Sequence, residues 1–332
     1  MNVQYGYSSA EKNVAICRKE LDMIPNGNFL SNGYEECQNM QFFKICGITR
    51  FWSFEDNLNI SSLVSDILNS CVRHGVPFAY AIIGNKDGIN VYVGTMKLLL
   101  EGLKTSFEST YPGIDIECIP NNPLRDAPRE SGGMFTGIPT NKVGAEKKNF
   151  QVENICRGML GRNFTYVILA SGISNIAVTF GHERILEEME KVYSLINQTV
   201  SGGAQGNLSA QKQDFQSKNY FENLEIMETY LKQGISRGMW RVNGYYASDN
   251  SLDAKRLGNI IKASFSGEES KPEHFRVIEY NSIKDVISNT YMMADLLDNQ
   301  ELHPLGRWKR AGISQDIVLY IYKFHIKIQM VF

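Results

Sequence analysis

The chain has 332 residues, of which 43% are hydrophobic and 21% are charged, a balance typical of a folded globular protein rather than a disordered one. Its 34 basic and 36 acidic side chains give a net charge of −2, whereas proteins that bind nucleic acid without sequence preference are usually clearly basic. The overall charge therefore argues against a dedicated nucleic-acid binder, but it does not exclude a local basic patch on the surface.

The cysteines are widely spaced and form no C-x-x-C pair, which favours reduced thiols over a disulfide framework or a zinc site. The N-terminus lacks the basic stretch and apolar core of a secretory signal, and no apolar run approaches the length of a transmembrane helix. We therefore expect a soluble, cytoplasmic protein with no membrane span. The six cysteines are Cys17, Cys37, Cys46, Cys71, Cys118 and Cys156.

In chain order, residues 1–50 read as irregular, with several clusters of turn-forming residues. Apolar residues at helical spacing then predict an amphipathic helix over 60–71. The runs FAYAIIG and INVYVG predict two strands, followed by a helix over about 96–110 and a strand, IDIECI, at 114–119. These elements define a first α/β unit over 51–120.

Residues 121–148 are polar and rich in Gly and Pro, which predicts an inter-domain linker. A second α/β unit follows over 149–300, containing a mobile loop of linker composition at 201–217. Together the two units predict a mixed α/β (α+β) fold, with two successive subdomains whose mixed sheets are flanked by helices. The elements of the second unit are a short helix (FQVENICRGML), a strand (FTYVILA), a long helix to about 198 with Ile185, Met189, Val192 and Ile196 on one face, a helix (NYFENLEIMETYLKQGIS), a strand (MWRVNGYYA), a helix at about 251–265 and a strand (HFRVIEY).

The tail, 301–332, ends in IVLYIYKFHIKIQMVF, a nearly continuous run of β-forming residues. An apolar edge strand of that length promotes aggregation unless it is covered. We therefore expect that the natural protein continues, and that this end reflects a truncation or a change of reading frame.

The stretch YAIIGNKDGINVYVG raises the question of a phosphate-binding loop, because Gly84 and Gly88 bracket polar residues after an apolar run. A P-loop requires G-x-x-x-x-G-K-[ST] followed by a helix, whereas here a second strand-like run follows. Asp87-Gly88 between two such runs instead predicts a β-hairpin. No Walker A motif occurs elsewhere in the sequence.

Other motifs also favour structural over catalytic interpretations. Gly234–Gly238 matches G-x-S-x-G, but a helix precedes it and a strand follows, the reverse of a nucleophile elbow, so a helix C-cap with a positive φ at Gly234 or Gly238 is predicted. His182-Glu183 begins like H-E-x-x-H but lacks the second histidine, and the remaining histidines occur singly. We expect Glu187, Glu188 and Glu190 on a solvated helix face.

Trp240, within a predicted strand, is interpreted as a core residue. A cluster of basic side chains near the start of the second unit is interpreted as solvated surface rather than a nucleic-acid contact. No catalytic, cofactor-binding or metal-binding residue is assigned, and no cofactor is expected. The basic residues are Arg157, Arg162, Lys147 and Lys148.

Five separated segments together resemble the N-terminal, non-motor region of bacterial HerA/FtsK-type translocase ATPases, including conjugation-type members. The resemblance spans about 50–310 and lies in the order of features rather than in a catalytic signature. The segments are PFAYAIIGNKDGINVYVG, LKTSFESTYPGIDIE, GGMFTGIPT, ICRGMLGRNFTYVILA and YLKQGISRGMWRVNGYYASD.

The resemblance implies an accessory region of a ring-forming assembly that moves DNA or pairs with an effector, and whose P-loop motor lies C-terminal to this region. This chain contains neither Walker motif, so no ATP-binding residue can be carried over and ATP hydrolysis is not expected. The expected partners are copies of the chain or other translocase subunits, with DNA as a further partner. Two alternatives stay open: a stand-alone α/β small-molecule-binding protein or enzyme, and a structural adaptor.

Overall fold

A computed structural model describes residues 40–48, 67, 77–124, 126–128, 130–136, 151–173, 175–196, 199–201, 209–211, 215–266 and 275–280. Their strands are β1 (Met40–Gly47), β2 (Pro77–Gly84), β3 (Ile89–Met96), β4 (Asp115–Ile119), β5 (Ser131–Thr136), β6 (Phe164–Ile173), β7 (Thr199–Ser201), β8 (Ser209–Gln211), β9 (Met239–Ser248) and β10 (Arg276–Tyr280). Their α-helices are α1 (Leu100–Thr110), α2 (Gln151–Gly158), α3 (Asn175–Ile196), α4 (Phe215–Arg237) and α5 (Ser251–Phe265), and a 3₁₀ turn at Lys97–Leu99 precedes α1.

Eight strands form one sheet in the order β10-β5-β9-β6-β2-β3-β1-β4, and every neighbouring pair is antiparallel. The predicted mixed α/β class is confirmed. The sheet is antiparallel throughout, however, and β2 pairs directly with β6, so strands from both predicted units belong to a single sheet. The short strands β7 and β8 form a separate two-stranded ribbon.

Four strands occur where none was predicted: β1, β5 and the two short strands β7 and β8, of which β8 lies within the predicted loop 201–217. Strand β5 lies within the predicted linker 121–148 and pairs with both β9 and β10, because backbone pairing on both sides overrides the low strand propensity of its Ser-Gly-Gly start. Strand β1 lies within the segment predicted to be irregular, where Phe42 and Phe43 are buried on opposite faces of the sheet. The linker and the irregular segment are thus corrected at these two positions.

Most of the other predicted elements are confirmed, including the β2–β3 hairpin and a helix, α5, with the predicted bounds. Ile185 and Val192 are buried on one face of α3, as predicted, and Met189 and Ile196 pack against the same cluster. Of the predicted helix 60–71 the structure describes Ile67 alone, which is helical and buried. Most of the loop 201–217 and the whole tail 301–332 lie outside the described residues. The described part of the loop contains β8 and the first residues of α4, so the loop prediction is corrected at these positions.

Both faces of the sheet are buried. In β2, Phe78, Tyr80 and Ile82 face the main core, whereas Ala79 and Ala81 face the opposite side. Side chains of α1, α2 and α5 complete the main core, and Leu124, which follows β4, packs on the other face. Alternation of side chains along a strand therefore places large aromatic residues under the helices.

Three glycines in the sheet each lie directly opposite a phenylalanine. The cross-strand pairs are Gly84 with Phe164, Gly94 with Phe42, and Gly244 with Phe135. At each glycine an added Cβ would overlap the ring of the opposite phenylalanine. The missing side chain lets the ring lie flat over the neighbouring strand, an arrangement that offsets the low strand propensity of glycine.

Gly244 illustrates why the space is needed. The Phe135 ring extends from β5 across β9 and stacks on Tyr166 of β6, with ring centroids 5.3 Å apart and an interplanar angle of 13°. Gly244 lies on the strand between them, opposite Phe135 on one side and Ile168 on the other. The contact therefore links three strands through one glycine.

We expect Gly244→Ala to destabilise the protein by about 2–4 kcal/mol, because the methyl group forces Phe135 out of its stacked position. The measurement is the free energy of unfolding in urea. Gly102→Ala is the matched control: Gly102 is exposed in α1 with no atom within 4 Å of an added Cβ, so alanine should stabilise the helix by up to about 1 kcal/mol. Equal stabilities of Gly244→Ala and wild type would contradict the packing role.

The main core also holds tyrosine hydroxyls that receive no hydrogen bond. Within the described part of the chain, the buried Tyr166 and Tyr246 hydroxyls have no partner, and these two residues face each other across β6 and β9. Burial, together with the nearby Tyr80 and Cys156, raises the pKa of Tyr166 far above its ordinary value. An unpaired buried hydroxyl costs free energy that its ring must recover by packing.

We therefore expect Tyr166→Phe to preserve or increase the stability, by up to about 1 kcal/mol, because the ring stays and the unpaired hydroxyl is removed. Thermal unfolding of the two proteins at equal concentration measures the difference. Tyr193→Phe, which removes a hydroxyl from a largely exposed side chain, serves as the comparison variant. A marked loss of stability in Tyr166→Phe would mean that the hydroxyl does have a bonding partner.

Candidate functional site

Polar groups of the turn between β2 and β3 form hydrogen bonds with one another. The Asn85 side-chain oxygen accepts hydrogen bonds from the amides of Asp87 and Gly88, both at 2.9 Å, and the Asn85 amide donates to the Gly88 carbonyl at 2.9 Å. Three of the loop amides are thus occupied, and a strand rather than a helix N-terminus follows them. The predicted hairpin is confirmed, and the turn does not present an array of free amides to a phosphate.

A polar cleft of about 490 Å³ opens beside this turn, at the end of the sheet where β2 and β9 end and β5 and β6 begin. Three carboxylates and two carboxamides contribute to its wall. The residues lining the cleft are Ile83, Gly84, Asn85, Asp126, Ala127, Pro128, Glu130, Asn163 and Asp249.

Hydrogen bonds between loops hold this wall in place. Asn163 donates to Asp249 at 2.6 Å, and its backbone carbonyl accepts from Ser248 at 2.6 Å. The Thr165 hydroxyl donates to the Pro128 carbonyl at 2.8 Å. The cleft therefore offers carboxylate and carboxamide oxygens to a small polar or cationic ligand.

The described residues do not assemble a metal centre: they contain no group of three or more His, Cys, Asp or Glu side chains placed to hold a metal ion. Cys46 and Cys118 are exposed thiols and Cys156 is a half-buried one, whereas Cys17, Cys37 and Cys71 lie outside the described residues. The sequence could not have predicted the cleft, because four separate loops contribute to it.

The G-x-S-x-G motif is a helix end. Gly238 has a φ of +93° and its amide donates to the Gly234 carbonyl at 2.8 Å, while the Ser236 hydroxyl bonds back to the Gln233 carbonyl within α4. The predicted C-cap is confirmed, with Gly238 as the residue in the left-handed region. The serine is engaged by its own helix and lies at no nucleophile elbow.

Helices α3 and α4 pack against each other as an antiparallel pair, which we call the arm (Asn175–Ile196 and Phe215–Arg237). The arm has its own apolar cluster, centred on Val178, Ile185 and Val192 of α3 and on Leu224 and Leu231 of α4. Helix α3 continues directly from β6, and α4 leads directly into β9, so the arm begins and ends on neighbouring strands.

A polar network crosses the arm beside this cluster. His182 of α3 lies 3.0 Å from Glu228 of α4, and Lys232 approaches the same carboxylate at 2.6 Å. Burial alone would raise the pKa of Glu228, but hydrogen bonds and charge from Lys232 and His182 outweigh it and lower that pKa. His182 thus contributes to helix pairing rather than to an H-E-x-x-H zinc site.

The predicted solvated face of α3 needs one correction. Glu187 and Glu190 are exposed, as predicted, but Glu188 is 3% exposed and lies 3.9 Å from Lys191. Position 188 falls on the side of α3 that faces α4, because it follows the buried Ile185 by three residues.

The predicted basic cluster is divided in the structure. Arg157 pairs with Glu153 on α2, and Arg162 pairs with Asp253 on α5, so both guanidinium groups have carboxylate partners. Lys147 and Lys148 lie outside the described residues. Trp240 lies in β9, but its side chain is not among those described.

We expect Glu228→Gln to destabilise the arm by about 1–2 kcal/mol at neutral pH, because it removes the charge that both Lys232 and His182 contact. Since the folded-state pKa of Glu228 is lowered, its contribution is present above the unfolded-state pKa and is lost as pH falls through the folded-state pKa. Helical circular dichroism during thermal unfolding, at neutral pH and near pH 3, measures the difference.

The matched control is Glu225→Gln, an exposed position on the same helix, for which no comparable change is expected. A difference between wild type and Glu228→Gln that persists unchanged at the acidic pH would contradict the role assigned to the carboxylate.

No described helix is both long and apolar enough to cross a membrane. Comparison of the chain with protein-family models and with curated proteins returned no match.

Proposed function

We propose that this chain is a non-catalytic assembly module of a HerA/FtsK-like DNA translocase. In this proposal it acts in the cytoplasm, forms contacts with its own copies or with partner subunits, and contacts DNA. The motor that hydrolyses ATP belongs to a separate, C-terminal region.

The main support is where the five resembling segments lie in the fold. They cover the β2–β3 hairpin, α1 with β4, β5, α2 with β6, and the end of α4 with β9. These elements include six of the eight strands of the main sheet. The resemblance therefore follows the scaffold, as expected for a shared accessory region without a shared catalytic site.

The hairpin turn supports the non-catalytic part of the proposal. Asn85 already binds the amides that a phosphate would need, and Lys86 is exposed on the turn rather than directed by a helix N-terminus. A nucleotide would have to displace these hydrogen bonds without gaining the helix dipole.

The arm supports the assembly part. It has its own core, and α3 exposes several large apolar side chains. Such side chains are typical of surfaces that contact another subunit. They are Ile176, Phe180, Leu186 and Tyr193, with exposed fractions of 84%, 44%, 41% and 60%.

A second candidate function is binding of a small polar or cationic molecule, which the cleft beside the hairpin turn favours. The two candidates are distinguished by Asp249→Asn, which should abolish binding of such a ligand but leave subunit assembly unchanged.

The proposed non-catalytic role is tested by measuring ATP binding and ATP hydrolysis with the purified chain and with its variant Lys86→Ala. We expect neither protein to bind or hydrolyse ATP, as measured by calorimetry and phosphate release, because the sequence contains no Walker A motif. ATP turnover that Lys86→Ala abolishes would contradict the proposal. So would a natural downstream reading frame without G-x-x-x-x-G-K-[ST], or a downstream motor that fails to co-purify with this chain.

A further inference from the structure

Helix α5 packs one face against the sheet and leaves the other face open. Leu257, Ile261 and Phe265 belong to the main core. The helix begins at a defined cap, where the Asn250 side chain accepts a hydrogen bond from the Asp253 amide at 2.8 Å. Its orientation on the sheet is therefore fixed at the N-terminus and along the buried face.

The open face of α5 is cationic. Lys255, Arg256 and Lys262 are exposed, and among the described residues none of the three forms an ion pair. The one carboxylate of the helix, Asp253, is buried and is bound by Arg162 and Asn250. The three cations are thus not neutralised by their own helix.

This charge pattern distinguishes α5 from three other described helices, α1, α3 and α4. Each of α1, α3 and α4 exposes two or more carboxylates, whereas α5 exposes none. Although the chain has a net charge of −2, the exposed charged side chains of α5 are all basic. The exposed carboxylates of the other helices are Glu101 and Glu108 in α1, Glu183, Glu187 and Glu190 in α3, and Glu222 and Glu225 in α4.

Exposed hydrogen-bonding side chains line the same face. At about 100° per residue, Ser251, Asn259 and Ser266 share one side with Lys255 and Lys262, and all five are exposed. They extend over about 22 Å, since each helical residue rises about 1.5 Å. Lysine, arginine, serine and asparagine are the side chains with which proteins contact DNA phosphates.

We propose that the open face of α5, through Lys255, Arg256 and Lys262, binds the phosphate backbone of double-stranded DNA. This inference rests on the proposed function, of which it identifies the DNA-contacting surface. Binding is independent of sequence, because the face offers phosphate-binding groups on a helix held flat against the sheet and does not project into a groove. An anionic membrane is the less suitable partner, because Leu252 is the single large apolar side chain exposed on the helix.

The test measures binding of the full chain to a fluorescent 30-base-pair duplex of random sequence by anisotropy, over a range of salt concentrations. Lys255→Gln/Arg256→Gln/Lys262→Gln should weaken binding about tenfold or more at low salt. Each lost phosphate contact lowers the slope of log K against log salt by about 0.9, so three contacts make it shallower by about 2.7. Glutamine keeps a good helix former at each exposed position.

The matched control is Lys86→Gln/Lys97→Gln/Lys218→Gln, which removes the same charge from three exposed lysines on other elements. It should keep most of the affinity and of the salt slope. Far-ultraviolet circular dichroism and thermal unfolding establish that both triple variants are folded. Loss of binding in the α5 variant alone supports the inference.

Equal losses in the two variants would overturn the inference, because the effect would then follow from total charge. No binding of the duplex by wild type, or stronger binding to vesicles containing phosphatidylserine than to the duplex, would also overturn it. These results are separate from the test of the module, which depends on ATP turnover and on co-purification with the motor.

Discussion

The pairing of β6 with β9 is the constraint on which the rest of the structure depends. The two strands are in register over ten residue pairs, from Phe164 opposite Ser248 to Ile173 opposite Met239. Neighbouring strands lie about 5 Å apart, so helices that continue from their adjacent ends must start side by side. The antiparallel packing of α3 on α4 follows from that geometry, and at the opposite end of the same pair the loops form the wall of the polar cleft.

The packing of side chains across these central strands requires glycines, because a glycine leaves room for the aromatic ring of the opposite strand. Phe135 reaches Tyr166 only because Gly244 has no side chain, and Phe164 covers Gly84 in the same way one strand further on. The rings link β5, β9, β6 and β2 within the main core, to which side chains of α2 and α5 also belong. Unpaired tyrosine hydroxyls in this core show that packing area, rather than polar satisfaction, determined which residues fill it.

The sequence predicted the elements whose structure depends on neighbouring residues in the chain. Helix α5 was predicted with its observed bounds, and the hairpin was predicted from Asp87-Gly88 between two strand-like runs. Strand β5 could not be predicted, because Gly132 and Gly133 weaken its propensity and its pairing with β9 and β10 comes from distant parts of the chain. Assigning Glu188 to a solvated face failed for a similar reason: the α3 sequence alone does not show that tertiary packing buries this position.

The candidate sites also differ in how much of each could be predicted from the sequence. The absence of a phosphate-binding loop could be read from the sequence, but the cleft could not, since its wall needs the sheet to bring Asp126, Asn163 and Asp249 together. The cationic face of α5 was present as a pattern, with Lys255, Arg256 and Lys262 among outward positions that contain no carboxylate. The net charge of the whole chain concealed it, because acidic residues elsewhere offset these cations.

The two surfaces assigned to assembly and to DNA belong to different cores. The arm packs around its own cluster, whereas α5 is part of the main core, and the two clusters have no residue in common. Substitutions in separate packing units are expected to act additively on stability. Under the function proposed above, substitutions that change the partner contacts of the arm would therefore leave the α5 face intact, so that assembly and DNA binding could be altered independently.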